Sequence, residues 1–239
     1  MVVRHDRVVV RAEAALEEWD AVTGAAPRPY LSPFGGSPCA MTDHDAQRAD
    51  DATTTDLLLD ELAAFGTRVR AVPADRWDAP TPCEAWSVRD LVNHLTSEHL
   101  WAPHLLRGET PDDVGDRYDG DMLGGDPAAA WTSAESTSAS AWKMLVSPDQ
   151  PVTLSAGQTT AGAYAEEMLL DLVVHGWDLA RGAGQDEAMD PAAAAHVLAF
   201  AEANAHEWKD AGVFADPVET TSTEPPDRLL ALLGRDSAA

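Results

Sequence analysis

The chain has 239 residues, 45% of them apolar, with 16 basic against 41 acidic residues and a formal charge of −25. That length suits one sizeable domain with an appendage, and the acid excess argues against nucleic acid and anionic membrane surfaces, which need clustered Lys and Arg. No apolar run approaches the roughly 18 residues of a membrane-spanning helix. Cys39 and Cys83 form no CxxC pair, and charges break every apolar stretch of the opening MVVRHDRVVVRAEAALEEWD, so a reducing, cytoplasmic home without a secretory signal is expected.

Residues 1–50 are read as a disordered N-terminal extension and residues 51–239 as one helical domain. The stretch TGAAPRPYLSPFGGSPCA is rich in Pro, Gly, Ser and Ala with no period, and a short amphipathic helix around Val8–Trp19 is the sole element foreseen before it. Met41 opens a polar lead-in and is the expected natural start. Most of the acid excess falls after residue 50, with 11 basic against 33 acidic residues, and is read as solvated surface. Lysine occurs only at Lys143 and Lys209; the preference for Arg, with abundant Ala, points to a GC-rich genome.

From Thr55 the spacing of Leu58, Leu59, Leu62, Phe65, Val69 and Val72 predicts a helix that Pro73 ends. After the loop PADRWDAPTPCEAW, Ser87 with Asp90 three residues on forms a variant capping box for a second helix closed by Gly108. The polar, Gly-rich ETPDDVGDRYDGDMLGGD is a long loop. Asp126-Pro127 caps a third helix reaching about Val146. SPDQPVTLSAGQTTAG is the single strand-like piece. A fourth helix spans about Ala163 to Ala180, closed by Gly182, and a fifth runs from Asp190-Pro191 to about Asp210, before an extended tail with a brief helical turn. The fold class is all-α, a bundle whose facing helices can build a metal site.

The helix AEEMLLDLVVHGWDLA places Glu167, Asp171, His175 and Asp178 on one stripe, with Tyr164 among them. Asp171 and His175, at i and i+4, can reach one point, as helical metal ligands do. The same stripe would also suit a solvated face. A third ligand must come from another element, and SVRDLVNHLTSEHLWA offers His94 and His99 with Glu98 between. His94 flanks the buried stripe of that helix and His99 lies inside it; each alone fits a buried structural histidine equally well.

TPCEAWSVRDLVNHL, EEMLLDLVVHGWDLARGAG and DRLLALLGR together resemble the family of mycothiol-dependent maleylpyruvate isomerases, within the DinB/YfiT-like metal-binding bundles. The resemblance spans roughly residues 52–235. It implies an up-down-down-up four-helix bundle, here with an extra C-terminal helix and short extended tail, and a divalent metal, usually zinc, held by His94, Asp171 and His175. It also implies a low-molecular-weight thiol such as mycothiol as cosubstrate and a small electrophile as substrate. The chain departs from the family pattern in carrying Asp171 where its best-described member has Glu, one methylene longer, with Glu167 one turn earlier as a compensating carboxylate. The isomerase also carries a C-terminal domain, too large for the stretch after Asp190 to supply in full, so maleylpyruvate itself does not transfer.

Three N/O ligands leave a fourth position open, as in catalytic zinc sites, where a bound thiol or water is acidified. The expected function is therefore a zinc-dependent thiol transferase or isomerase. A non-catalytic metal- or ligand-binding bundle and a zinc-water hydrolase, with Glu167 or Asp178 as base, remain open alternatives. Cys83 is read as packing, Trp86 and Trp177 as core or pocket wall, and Arg89 and Arg181 as exposed helix arginines or receivers of a substrate carboxylate. Asp178 either serves as base, orients His175 or bonds a neighbouring helix. The sequence leaves a homodimer open.

Overall fold

A computed structural model describes residues 43–83, 86–211 and 214–238. The proposed extension and the helix around Val8–Trp19 lie almost wholly outside the described residues. Among the described residues seven helices and one hairpin occur in order: α1 (Asp43–Arg70), α2 (Val88–Leu105), α3 (Pro111–Val114), α4 (Pro127–Lys143), β1 (Pro151–Leu154), β2 (Gly157–Thr160), α5 (Ala161–Ala183), α6 (Pro191–Ala211) and α7 (Pro225–Leu232).

α1, α2, α4 and α5 make the bundle. α1 packs on α5 and α4, and α2 packs on the same two, so α1 and α2 lie on one diagonal and α4 and α5 on the other. The long connection from α2 to α4 lets the chain run back along the bundle, as an up-down-down-up order requires. It is pinned rather than loose: the Asn93 side chain donates to the Gly120 carbonyl at 2.9 Å and accepts from the Met122 N–H at 2.7 Å. α6 covers α5, and α7 packs on α6. The architecture is all-α apart from the four-residue strands of the hairpin, which pair antiparallel with Val152 opposite Thr159.

The core is where the periodicity placed it. Leu58, Leu62, Phe65 and Val69 of α1 are buried, as are Val88, Leu91, Val92 and Leu95 of α2, Trp131 and Trp142 of α4, and Leu169 and Leu172 of α5. Each large apolar side chain removed from water contributes about 1.5–3 kcal/mol, so these stripes drive the assembly. Leu59 and Val72 are only partly buried against that core.

Some boundaries differ from the sequence reading. α1 begins at Asp43, well before Thr55. α3 is a single helical turn inside the expected loop, held by a Thr110–Asp113 capping box. α5 ends at Gly184, left-handed at φ +71°, and not at Gly182. Gly182 is inside the helix for another reason. A Cβ there would meet the Thr81 and Val88 methyls at 3.0 Å and the Pro80 carbonyl at 3.1 Å. Among the described residues no helix is long and apolar enough to cross a membrane.

Candidate metal centre

The site lies where α2 faces α5, and local rules fix the phase of both helices. The Ser87 hydroxyl accepts from the Asp90 N–H at 3.2 Å, and the Asp90 carboxylate accepts from the Ser87 N–H at 3.0 Å. This reciprocal cap starts α2 and sets the turn on which His94 falls. On α5 the Thr160 hydroxyl caps the Ala163 N–H at 3.2 Å, and four-residue spacing carries Asp171 and His175 to the α2 side.

His94, Asp171 and His175 each offer a ligand atom, and these atoms all lie within 4.8 Å of one another. The ring planes of His94 and His175 stand at 87°, centroids 5.6 Å apart, so the two imidazoles approach from different directions. His94 Nε2 is 3.5 Å from Asp171 Oδ2, and it is buried without a hydrogen-bond partner. A buried ring nitrogen whose polar neighbour is a carboxylate at 3.5 Å, at the edge of hydrogen-bond reach, suits donors converging on a cation as well as a direct His94–Asp171 ion pair. Side-chain exposures of 16% for His94, 27% for Asp171 and 8% for His175 leave the centre reachable from the Asp171 side.

His175 is held from behind. Its Nδ1 lies 2.9 Å from Asp178 Oδ2, a fully buried carboxylate. With Nδ1 donating to Asp178, Nε2 keeps its lone pair for a ligand, the carboxylate–histidine pattern of metal sites. Asp178 in turn accepts from Arg235, Nη2 at 2.8 Å and Nε at 3.2 Å. Of the readings open for Asp178, the structure favours the orienting one.

Trp86 roofs the pair, its ring 4.7 Å from that of His94 and 5.5 Å from that of His175. The loop that presents it is tightly made. The Trp86 carbonyl accepts from the Thr81 N–H at 3.1 Å and hydroxyl at 2.9 Å, and the Trp86 N–H donates to the Cys83 carbonyl at 2.8 Å. The absent side chain of Gly182 is what lets this loop lie on α5.

The three groups are electrostatically coupled. Burial opposes charging His94, but Asp171 beside it and Glu98 outweigh this and raise its pKa. Burial likewise works against the Asp171 anion, yet His94, His175 and His99 hold its pKa below the ordinary value. Glu167, one turn before Asp171, is exposed as a residue, but desolvation of its carboxyl, then Asp171 and Glu98, push it up to about 7. Asp171, and not Glu167, joins the two histidines.

Other candidates are placed elsewhere. His99 is buried, its Nδ1 2.9 Å from Ser138 Oγ on α4, and burial drives its pKa down to about 3. Trp177 is buried with the Arg181 guanidinium 4.4 Å above its ring. Arg181 pairs with Glu187 at 2.7 Å, and Arg89 with Asp121 at 2.9 Å, so each guanidinium already holds a carboxylate of the chain itself. Arg235 ends the DRLLALLGR segment that helps carry the family resemblance, but sequence reasoning gave it no role, and no local pattern marks a contact 57 positions from Asp178.

Residues 58–180 match the family described as the mycothiol maleylpyruvate isomerase N-terminal domain. Two proteins of Mycobacterium tuberculosis, Uncharacterized protein Rv0738 of strain H37Rv and Uncharacterized protein MT0763 of strain CDC 1551 / Oshkosh, are each 31% identical over 179 residues. These alignments cover 72% of this chain and 92% of each relative. No solved structure matches the chain. The matched segment contains His94, Asp171, His175 and Asp178, and stops before Arg235. The chain therefore belongs to the mycothiol maleylpyruvate isomerase N-terminal domain family, a group of metal-binding, DinB-like helical bundles.

Proposed function

We propose that His94, Asp171 and His175 hold a divalent cation, zinc, and that the protein is an enzyme acting with a low-molecular-weight thiol, such as mycothiol, on a small electrophile, as thiol transferase or isomerase. The observation that carries this reading is the convergence of three N/O donors within 4.8 Å, with the buried Nε2 of His94 at 3.5 Å from Asp171 Oδ2. Two imidazoles and one carboxylate suit zinc, and a three-ligand set leaves room for an exogenous group. Zinc bound there would supply a positive charge that favours the thiolate over the thiol.

The chain's own residues do the rest. Asp178 fixes the tautomer and orientation of His175. Trp86 covers the histidines with an apolar face, which limits water at the site and strengthens its electrostatics. Glu167, titrating near neutrality at the rim, can take the proton released by the incoming thiol. That same property favours a second reading, hydrolysis by zinc-bound water with Glu167 as base.

The test is elemental analysis of the purified protein and of His94→Ala and His175→Ala, followed by turnover assays with and without thiol. Bound zinc lost in both variants, with conjugation that requires thiol, is the expected result. Unchanged zinc content would sink the metal assignment, and turnover independent of thiol would select the hydrolase. Zinc binding without turnover of any thiol–electrophile pair would select the non-catalytic bundle.

A further inference from the structure

The geometry points to Arg235, on the C-terminal segment beyond the family match, as a positioning residue of the metal centre that acts through Asp178 on His175. This inference rests on the metal reading of His175, but its own observations are separate. Arg235 is 8% exposed and Asp178 fully buried. Their contact is two-pronged: Nη2 to Oδ2 at 2.8 Å and Nε to Oδ1 at 3.2 Å. A forked guanidinium–carboxylate pair fixes the plane of the carboxylate, which a single hydrogen bond does not. Asp178 Oδ2 is shared, because it also receives His175 Nδ1–H at 2.9 Å. Whatever sets the rotation of the Asp178 carboxylate therefore sets the rotation of the His175 ring.

The segment is shaped to deliver this side chain. Arg235 Nη1 donates back to the Leu233 carbonyl at 2.9 Å, and the Arg235 N–H bonds the Leu230 carbonyl at 2.8 Å. Between them Gly234 sits at φ +78°, and a Cβ there would meet Ala215 Cβ at 2.6 Å. Only glycine permits that turn in that space. Arg181 ties the next residues down by donating to the Asp236 and Ser237 carbonyls at 2.8 and 3.0 Å. The tail after α7 is thus part of the centre's outer layer, although it lies far from the ligands in sequence.

The experiment compares wild type, Arg235→Gln, Arg235→Lys and Gly234→Ala in the full chain. Zinc affinity is measured by competition with a chromogenic chelator, and the His175 ring nitrogens by 15N NMR of the metal-free protein. Arg235→Gln is expected to weaken zinc binding about tenfold, the lower end for outer-shell groups, and to remove the single Nδ1–H tautomer signature of His175. Arg235→Lys restores charge without the fork and recovers part of the affinity. Gly234→Ala, with Arg235 intact but displaced, behaves like Arg235→Gln. Unchanged affinity and an unchanged His175 spectrum in a folded Arg235→Gln protein would overturn the proposal. If Arg235→Gln does not fold, Arg235→Lys with wild-type affinity and tautomer signature would overturn it as well. If wild type binds no zinc, the metal reading fails, and the His175 spectra still decide the role of Arg235.

Discussion

The indole of Trp86 and the imidazole of His94 lie 4.7 Å apart between centroids at an interplanar angle of 39°. An apolar ring from a loop thus shields one face of a ligand that would otherwise meet water. Replacing Trp86 by Ala is expected to speed zinc loss to a chelator several-fold while the three donors remain in place. A fall in stability of about 1–3 kcal/mol accompanies it, below the full cost of a core tryptophan because Trp86 is only partly buried. Stopped-flow chelator exchange checks the first effect and denaturant titration the second.

Zinc and folding should be linked. A ligand that binds only the native state stabilises it by about 2.7 kcal/mol at one hundred times its dissociation constant. Zinc at that level is expected to raise the thermal midpoint, EDTA to reverse the change, and His94→Ala to abolish it. Calorimetry with the three samples is sufficient.

His99 makes the fold acid-sensitive. Its pKa falls to about 3 in the native state, because burial beside Ser138 disfavours the imidazolium, whereas an unfolded histidine titrates near 6.5. The unfolded chain therefore binds the extra proton between those values, and stability is lost as pH falls from about 6.5 towards 3. His99→Gln should flatten this part of the profile of urea midpoint against pH, with little change in shape above pH 7.

Glu167 acts in the opposite sense. Its carboxyl is raised to about 7, so the native state holds a proton that the unfolded chain has released. Its contribution is fully present below the ordinary carboxyl pKa of about 4.3 and is lost as pH rises through 7. In metal-free protein Glu167→Gln should leave stability unchanged at pH 4 and increase it at pH 8, as read from urea midpoints.

Gly182→Ala tests the packing of the Trp86 loop on α5. The added methyl meets two methyl groups at 3.0 Å and a backbone carbonyl at 3.1 Å. Overpacking of that kind costs about 1–3 kcal/mol, despite the better helix propensity of Ala. The thermal midpoint should fall, and chelator exchange should speed up as it does for Trp86→Ala.

Much of the fold and of the site is legible in the sequence. The buried stripe of α1, the Ser87–Asp90 cap, the Asp126-Pro127 start of α4 and the hairpin region are all local patterns, set by helical periodicity or by hydrogen bonds three residues apart. The pairing of Asp171 with His175 is local in the same way. Periodicity does not decide which histidine of α2 joins them, since His94 flanks the buried stripe and His99 lies inside it; family resemblance names His94, and the structure brings it to Asp171. Sequence alone puts the end of α5 at Gly182 and not at Gly184, because the two glycines look alike there. One is left-handed, and the other makes room for a loop about a hundred residues earlier. The DRLLALLGR segment stands out in the sequence, but the partner of its Arg235 does not, because long-range packing leaves no periodic trace.

The diagonal placement of α1 and α2 has a kinetic meaning. Because neighbours in sequence are not neighbours in the bundle, α2 meets α5 only after most of the chain has been collected. Contacts of that span carry a large loop-closure cost and tend to form late. A cation gripped by His94 and His175 would then act after the barrier has been crossed. It would hold the finished bundle shut, slowing its opening, and give no help to the chain on the way in.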